Sequence, residues 1–433
     1  MQDAIVTKAA DNVRILSAAM VQKAKSGHPG GAMGAADAIT LLFGEFLRFD
    51  PCDPKWIARD RFFMDPGHMS PLLYSELVLT NRLTLEDVQN FRQLGSRTPG
   101  HPEVDVALGI ENSSGPLGIG HGIALGAAIA ERFMVERFGS ICEHKTVCLV
   151  SDGGLEEEIA YGVGRMAGHL KLNNLIFFYD ANQVQLSCKT KDVMSHNFVA
   201  QYESWGFRVI ECDGGNVAEL RKAFKAAWAE TEKPVLVYGH TTMAKGAVAE
   251  DGKSYEGEVS THGQPLNAAG ASTSATVKNL GGDPENPFQI FPEVKAAFDA
   301  RLEELKAIAD VLGVRFEQSF ILPNGDEYKT GNNTDKAKLE EISDIVFSRA
   351  GLERFDFEYK AHGKFACYRN TDGSFYRLDT FGNNIVIEYA ENQQDAEHGL
   401  FEDTDLFDAT LKEEKLIRQI TKWLKKKAVN EEE

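Results

Sequence analysis

Residues 147–186 read VCLVSDGGLEEEIAYGVGRMAGHLKLNNLIFFYDANQVQL, and this stretch decides the fold class. Two apolar runs, TVCLV (146–150) and NLIFFYD (174–180), have the length and the β-branched and aromatic content of buried strands. Residues 156–170, between them, are expected to form a helix. A strand, a helix and a second strand in this order predict two parallel strands joined by a helical crossover.

The same alternation continues on both sides of this stretch. Further helices are expected at 3–25, 34–49, 122–139, 198–205 and 217–230, and further strands at FRVIEC (207–212) and PVLVYGHT (234–241). Strands that alternate with helices at this spacing predict an α/β protein with a parallel sheet flanked by helices. This α/β unit is expected to run over residues 1–270.

The chain changes in character after residue 270. Residues 271–309 predict an extended connector, rich in Gly, Pro and small residues, and then a helix from about Val294. Residues 310–433 predict a small α+β domain of unknown function, with a hairpin that turns at Asp372 and Gly373 and a terminal helix at 411–427. His362, Cys367 and the acidic run 388–408 are expected to belong to its solvated surface and packing rather than to a site.

Composition excludes several classes of protein. The chain has 433 residues and a formal net charge of −19, which disfavours general nucleic-acid binding because the phosphate backbone would be repelled. No apolar run reaches the roughly 20 residues that a membrane helix needs, and the amino terminus does not resemble a secretory signal. The six cysteines form no C-x-x-C pair, so reduced thiols and a cytoplasmic location are expected.

Polar residues follow each of the two central strands. Asp152 follows the first strand and Asn182 the second, and the carboxyl ends of neighbouring parallel strands meet at one edge of a sheet. Their oxygens, with the backbone carbonyl of Val184, are the hard ligands that Mg²⁺ prefers, and Mg²⁺ leaves positions open for phosphates. Gly153 would allow a close approach of the ligand. The alternative is that Asp152 only caps a helix.

Histidines recur in turns that contain Gly or Pro. They are His28 in SGHPGG, His68 in DPGHMSP, His101 in TPGHPE, His121 in LGIGHG and His262 in STHGQP. A single histidine is usually a surface or core residue, whereas five in such loops indicate a site, because imidazole titrates near neutral pH. The turn GPLGIG, ahead of a helix, is a further but weak signal for a bound ring or phosphate.

Together these segments resemble the amino-terminal, thiamine diphosphate-binding half of transketolase. The resembling segments, in the family's order, are KAKSGHPGGAMG (23–34), RDRFFMDPGHMSPLLY (59–74), FRQLGSRTPGHPE (91–103), NSSGPLGIGHG (112–122), SDGGLEEEI (151–159), AGHLKLNNLIFFYDAN (167–182) and THGQPL (261–266). The resemblance implies the thiamine diphosphate-binding fold and a cytoplasmic transferase of the pentose phosphate pathway. Such an enzyme moves a two-carbon ketol unit between sugar phosphates.

The resemblance also implies roles for particular residues. Mg²⁺ would be bound by Asp152, Asn182 and the carbonyl of Val184, and the diphosphate would be contacted by Gly153 and His68. The cofactor would be lined by Gly115, Pro116 and Leu117, and the thiazolium carbon and the sugar would be faced by His28, His101 and His262. Glu157 would lie in a network that links two active sites across a dimer. Three positions depart from the family's usual residues, namely Ser151, Pro66 and Ile119. Ile119 replaces a glutamine and puts one polar contact to cofactor or substrate in doubt.

The resemblance ends near residue 309, and residues 310–433 do not resemble the pyrimidine-binding domain that follows in the family. A separate chain is therefore expected to supply that domain, in a homodimer or heterotetramer. One alternative is a non-catalytic transketolase relic that binds cofactor or a partner. Another is a different thiamine diphosphate enzyme, such as a 2-oxo acid dehydrogenase component or deoxyxylulose phosphate synthase, although the histidine motifs favour transketolase.

Overall fold

The structure, a computed structural model, forms two compact units, residues 1–314 and 315–433. It describes residues 1–312, 319–321, 327–329, 333–359, 363–381, 384–393, 396, 402–408 and 417–424. Within these ranges, no helix is long and apolar enough to cross a membrane. Every residue expected at the site lies in the first unit.

The first unit contains a five-stranded parallel sheet. Its strands are β1 (Arg61–Met64), β2 (Thr146–Ser151), β3 (Leu175–Asp180), β4 (Arg208–Asp213) and β5 (Val235–His240), in the spatial order β1-β2-β3-β5-β4. Strands β2 and β3 are neighbours, with Ser151 opposite Asp180 at their carboxyl ends. The predicted parallel α/β sheet is confirmed, and so is the adjacency of the two strands on which the metal hypothesis depends.

Helices connect these strands and cover the sheet. They are α1 (Asp3–Ala24), α2 (Pro29–Gly34), α3 (Ala36–Leu41), α4 (Ser70–Leu79), α5 (Leu85–Gln89), α6 (Ile119–Phe138), α7 (Asp152–Glu156), α8 (Glu158–His169), α9 (Phe198–Trp205), α10 (Val217–Trp228), α11 (Leu266–Ala269), α12 (Thr273–Asn279) and α13 (Pro292–Leu312). Both faces of the sheet are thereby buried, as continuous apolar strands require.

Successive side chains of β2 and β3 point into different cores, because side chains alternate along a strand. Leu149 and Phe178 belong to the core that also contains residues of α1, α3, α4 and α10. Cys148 and Phe177 belong to the core formed with α6, α8 and α9. Burying a side chain such as Phe177 contributes about 1.5–3 kcal/mol, so these two strands hold both helical layers onto the sheet.

Three local predictions differ from the structure. In place of the single helix expected at 34–49, the structure has α2, α3 and a π turn at Leu42–Phe46. Helix α2 begins earlier because Pro29 is favoured at the first helical position, and it ends at Gly34, which packs against the backbone of Thr242. The expected extended connector contains α12, whose Ser272 side chain accepts a hydrogen bond from the Ala275 amide. Strand β1 was not predicted, since four residues are too few for a clear pattern.

The second unit contains a five-stranded antiparallel sheet. Its strands are β8 (Glu353–Tyr359), β9 (Gly363–Arg369), β10 (Phe375–Phe381), β11 (Asn384–Ala390) and β12 (Glu402–Asp408), and they follow the short pair β6 (Ser319–Ile321) and β7 (Glu327–Lys329). Helix α14 (Asn333–Ala350) and the helical residues 417–424 pack on one face of the sheet. The predicted hairpin is confirmed, with Gly373 at φ 94° in its turn. His362 lies outside the described residues.

Candidate active site

The carboxyl ends of β1, β2, β3 and β5 surround a cavity of about 300 Å³. Nine residues expected at the site line it, namely His28, His68, His101, Leu117, Asp152, Gly153, Asn182, Val184 and His262. Loops that are far apart in the chain therefore meet at the edge of the sheet where ligands bind in parallel α/β folds.

Asp152 is the first residue after β2 and is 2% exposed. Its Oδ1 atom accepts a hydrogen bond from the Tyr179 hydroxyl at 2.6 Å, and its Oδ2 atom accepts one from the Gln183 amide at 3.1 Å. Burial raises the pKa of Asp152 to about 7 in spite of these two bonds. Helix α7 is capped by Ser151, whose hydroxyl accepts from the Gly154 amide at 3.3 Å, so capping does not explain Asp152.

Asn182 lies in the turn after β3. Its amide oxygen accepts a hydrogen bond from the Val184 amide at 3.0 Å, and its amide nitrogen donates to Oδ2 of Asp180 at 2.8 Å. Asp180 is fully buried, and burial raises its pKa to about 6. Gln183 has φ 63°, and its amide bonds the carboxylate of Asp152. The turn at 182–184 and the Asp152 side chain are therefore held together.

The oxygen atoms on this wall suit a hard cation. Asp152, Asn182 and Val184 all line the cavity and offer a carboxylate, an amide oxygen and a backbone carbonyl. Mg²⁺ binds such oxygens and completes its shell with water or ligand phosphate. Across the described residues, no three or more His, Cys, Asp and Glu side chains could hold a metal, so a cation here would depend on amide and carbonyl oxygens. Burial disfavours the charged form of Asp152, and a cation beside it would stabilise that form.

Histidines form a second wall of the cavity. The ring centroids of His28 and His68 lie 5.0 Å apart, and that of His262 lies 5.7 Å from His28 and 5.3 Å from His68. Burial lowers the pKa of His28 to about 4 and lowers the pKa values of His68 and His262. Burial, with the Arg92 guanidinium, also lowers the pKa of His101. All four rings are therefore neutral at pH 7 and can accept or donate a proton.

Glycines allow the histidine loops to meet. The Ala244 amide donates to the Gly30 carbonyl at 2.8 Å, and a Cβ on Gly30 would lie only 2.6 Å from the Thr261 carbonyl oxygen. A Cβ on Gly263 would lie 3.3 Å from Cδ2 of His28. Side chains at these two positions would separate the SGHPGG and THGQP segments, so their glycines place His28 beside His262.

Other predicted residues lie outside the cavity. The glycine-rich turn lines it, among the described residues, only through Leu117, and Gly115 and Pro116 do not contribute. Glu157 is exposed ahead of α8, where a Cβ on Gly118 would lie 3.0 Å from the Glu157 Cβ. The roles expected for Gly115, Pro116 and Glu157 therefore stay predictions that depend on contacts beyond this cavity.

Two residues directly after the glycine-rich turn, at the start of α6, also lie outside the cavity. His121, one of the five loop histidines, is fully buried, with its Nδ1 atom 3.2 Å from Oδ1 of Asp65. Ile119 is 37% exposed on α6 and does not line the cavity described here. The structure thus brings four of the five loop histidines together in the cavity.

Sequence reasoning missed several residues of the site. The cavity is also lined by Gly31, Met69, Gln185, Leu186 and Met243. Tyr179 and Asp180, which bond Asp152 and Asn182, were not identified either. Their polar groups at the end of an otherwise apolar strand were an available signal, since buried polar groups need partners.

Comparison with known proteins identifies the family. The sequence profile described as transketolase, thiamine diphosphate binding domain, matches residues 5–321. Transketolase from Sinorhizobium medicae is 41% identical over 292 residues, which are 67% of this chain and 41% of that protein. Transketolase 1 from Escherichia coli is 39% identical over 298 residues, 67% of this chain and 44% of that protein.

Solved structures agree with the sequence comparison. Transketolase from Leishmania mexicana matches with a TM-score of 0.67 and 34% identity, over 71% of this chain and 46% of that one. Transketolase from Campylobacter jejuni matches with a TM-score of 0.67 and 34% identity, over 81% of this chain and 52% of that one. The chain thus spans about half, or less, of the length of these relatives. It belongs to the transketolase family, through the family's thiamine diphosphate-binding domain.

Proposed function

We propose that this chain binds thiamine diphosphate and Mg²⁺ in the cavity and supplies the diphosphate-binding half of a ketol-transferring enzyme. The supporting observation is that Asp152, Asn182 and Val184 meet a wall of neutral histidines in one cavity of a transketolase-family domain. The substrates would be sugar phosphates. The enzyme would act in the cytoplasm, in the pentose phosphate pathway.

The polar wall would hold the phosphorylated end of the cofactor. Asp152, Asn182 and the carbonyl of Val184 would bind Mg²⁺, and His68 and Gly153 would contact the diphosphate. Gly153 suits this role because a Cβ there would already lie 3.1 Å from Cδ1 of Leu117, leaving little room for a side chain beside a ligand. Leu117 would line the cofactor, together with Gly115 and Pro116 of the same turn.

The histidine wall would serve the sugar. Thiamine diphosphate, when bound, supplies the reactive thiazolium carbon for two-carbon transfer. His28, His101 and His262 have pKa values below the ordinary value, so at pH 7 each can accept a proton from a hydroxyl or donate a hydrogen bond to a carbonyl oxygen. Exclusion of water by the partly buried rings would strengthen these interactions.

An exposed apolar surface beside the cavity supports the need for a second chain. It consists of Ile119, Ile123, Ile129 and Phe133 on α6, Ile159 and Met166 on α8, and Leu170 directly after α8, and we call it the partner face. Phe133 is 63% exposed and Met166 is 50% exposed. Gly126 lies on the same side of α6 with open space where its Cβ would be, so another backbone could approach closely. Contiguous apolar surface of this kind usually marks an interaction site.

We propose that the occupant of the partner face is a complementing chain that carries a pyrimidine-binding domain. The shared segment is 41% of one matched relative and 44% of another, so more than half of each lies outside it. The face begins next to the glycine-rich turn, because a Cβ on Gly118 would overlap the Ile159 side chain. A partner seated there would adjoin the cavity and Glu157. Assembly could give a homodimer of such units or a heterotetramer.

The cofactor proposal is tested by calorimetric titration of the purified full chain with thiamine diphosphate. Binding should require Mg²⁺ and should be lost in excess EDTA, because the diphosphate is held through the metal. Asp152→Ala should bind equally weakly with and without Mg²⁺. Asp213→Ala, which removes the exposed aspartate that ends edge strand β4, is the matched control and should behave like the wild type. Equal binding with Mg²⁺ and with EDTA would contradict the metal assignment.

The activity proposal is tested by turnover of xylulose 5-phosphate and ribose 5-phosphate with cofactor and Mg²⁺. The chain alone should be inactive, and the complex recovered with its native complementing chain should be active. Robust turnover by the chain alone would refute the need for a partner. Cofactor binding without turnover in that complex would instead favour the alternative of a non-catalytic binding protein.

A further inference from the structure

Asp65 is a fully buried aspartate that does not line the cavity but contacts the loops around it. It directly follows β1, and its amide donates to the Leu149 carbonyl of β2 at 3.0 Å, which continues the β1–β2 pairing. Its own carbonyl accepts from the Gly67 amide at 2.8 Å, one residue before His68. Its backbone therefore fixes the start of the His68 loop to the sheet.

Asp65 also holds both ends of the glycine-rich turn. The Ser114 hydroxyl donates to the Asp65 carbonyl at 2.8 Å, and the Gly120 amide donates to Oδ1 of Asp65 at 2.8 Å. A Cβ on Gly120 would lie only 2.5 Å from Cα of Asp65, so the two backbones are in direct contact. Gly115, Pro116 and Leu117 lie between these two attachments.

A third loop touches the same carboxylate. A Cβ on Gly154 would overlap Oδ2 of Asp65, so the Asp65 side chain lies directly against the turn that carries Asp152 and Gly153. One residue outside the cavity thus contacts the three loops that contain most of the candidate cofactor contacts. Such partners usually orient the residues that bind the ligand.

His121 lies beside this carboxylate and is also fully buried. Its Nδ1 atom is 3.2 Å from Oδ1 of Asp65, at ion-pair distance but not in hydrogen-bond alignment. Within the described part of the chain, neither ring nitrogen of His121 nor Oδ2 of Asp65 has a hydrogen-bond partner. The ring packs on Phe177 with centroids 5.3 Å apart. Buried polar groups without hydrogen-bond partners are rare in proteins and usually have a role other than packing.

We propose that Asp65 and His121 form a positioning pair for the cofactor site. The pair holds the His68 loop, the Gly115–Leu117 turn and the Asp152–Gly153 turn in one arrangement without touching the ligand. This inference rests on the proposed function for its ligand, thiamine diphosphate with Mg²⁺, but the arrangement of the loops can be tested without any ligand.

The first test measures the dissociation constant for thiamine diphosphate in the presence of Mg²⁺. Asp65→Ala should raise it roughly 10- to 100-fold, the usual effect of removing a residue that orients ligand contacts. Asp65→Asn should stay near the wild type, since its amide oxygen can still accept from Gly120. The control is Glu76→Ala, which removes another fully buried carboxylate, bonded to Thr40 within the helical layer. Equal losses of affinity in Asp65→Ala and Glu76→Ala would overturn the proposal.

The pairing itself is tested by a double variant. His121→Phe should weaken cofactor binding because the Asp65 carboxyl group loses its neighbour. Asp65→Asn combined with His121→Phe should recover affinity, since the carboxyl group that lost its neighbour is then removed as well. Absence of any recovery would refute the coupling between the two residues.

A third measurement separates this inference from the proposed function. Amide hydrogen exchange of the ligand-free chain should show faster exchange at Gly120 and over residues 66–69 in Asp65→Ala, and unchanged exchange there in Glu76→Ala. Unchanged exchange at Gly120 in Asp65→Ala would overturn the positioning role. If the wild type fails to bind thiamine diphosphate, the proposed function fails, and the exchange result still decides the role of Asp65.

Discussion

Tyr179 of β3 donates its hydroxyl to Oδ1 of Asp152, which follows β2, at 2.6 Å. The Gln183 amide holds the other carboxylate oxygen, so the Asp152 side chain has one orientation at the cavity wall. Tyr179 is fully buried, and burial, together with the adjacent carboxylate, raises its pKa far above the ordinary value, so that it remains a donor. The carboxylate is therefore oriented by the sheet before a ligand arrives.

Tyr179→Phe should weaken Mg²⁺-dependent cofactor binding about tenfold, because Asp152 would lose the bond that orients it. The ring is retained, so the fold should persist. Calorimetric titration with thiamine diphosphate and Mg²⁺ measures the change.

The matched control is Tyr202→Phe. Tyr202 is a buried tyrosine of α9 whose hydroxyl has no hydrogen-bond partner among the described residues. The Tyr202→Phe variant should bind the cofactor as tightly as the wild type. If both variants bind equally well, the Tyr179 hydroxyl does not orient a cofactor ligand.

Stability should depend on pH through His144, which is 4% exposed. Burial, followed by the charge of Arg61, lowers the pKa of His144 from the ordinary 6.5 to about 3. Between pH 6.5 and pH 3, His144 is therefore protonated in the unfolded chain but not in the folded chain. The free energy of unfolding should fall as pH decreases from about 6.5 toward 3. His144→Asn, which can still donate to the Cys142 carbonyl, should make this fall shallower by up to about 1.4 kcal/mol per pH unit.

Urea unfolding of the full chain at several pH values measures this slope. Tryptophan fluorescence reports mainly the first unit, because Trp56, Trp205 and Trp228 lie there and Trp423 lies in the second. Above pH 7.5 the wild type and His144→Asn should show parallel profiles. Identical slopes between pH 6 and pH 4 would contradict the lowered pKa.

Gly30→Ala should destabilise the chain by about 1–3 kcal/mol, the usual cost of overpacking, because the new methyl group would meet the Thr261 carbonyl. It should also weaken cofactor binding, since the His28 and His262 loops would move apart. Urea unfolding and calorimetric titration measure the two effects.

Gly126→Ala provides the opposite case. Gly126 is in helix α6 and has open space where its Cβ would be, so alanine should stabilise the isolated chain by about 0.5–1 kcal/mol through helix propensity. If both variants changed the free energy of unfolding by similar amounts, close packing at Gly30 would not be the cause of the loss of stability in Gly30→Ala.

Phe133→Glu should block assembly with the complementing chain while leaving the fold intact, because Phe133 is an exposed residue of the partner face. A buried charge without a partner disrupts an apolar interface. Analytical ultracentrifugation of the mixed chains measures assembly.

Ala218→Glu is the control for this prediction. It introduces the same residue at an exposed position of α10, whose buried residues pack into the core on the other face of the sheet. It should leave assembly unchanged. Normal assembly of Phe133→Glu would mean that the partner binds elsewhere.

Much of the first unit could be predicted because its signals are local. Strands β2 and β3 are continuous apolar runs, and the helices near them have regular apolar spacing, so periodicity shows both. Asp152 and Asn182 could be placed at the edge of the sheet for the same reason, since each comes within two residues of the end of such a run. Strand β1 and helix α12 were missed because they have only four and seven residues and are stabilised mainly by neighbours distant in sequence.

The amino-acid pattern alone predicts a parallel α/β sheet, with Asp152 and Asn182 at the carboxyl ends of its central strands and five histidines in loops. Which of these side chains meet depends on tertiary packing. It placed four histidines in the cavity and His121 beside Asp65, and it let Gly30 approach Thr261. The physical reason is that hydrophobic periodicity is a property of neighbouring residues, whereas close contacts depend on the packing of segments that are far apart in the chain.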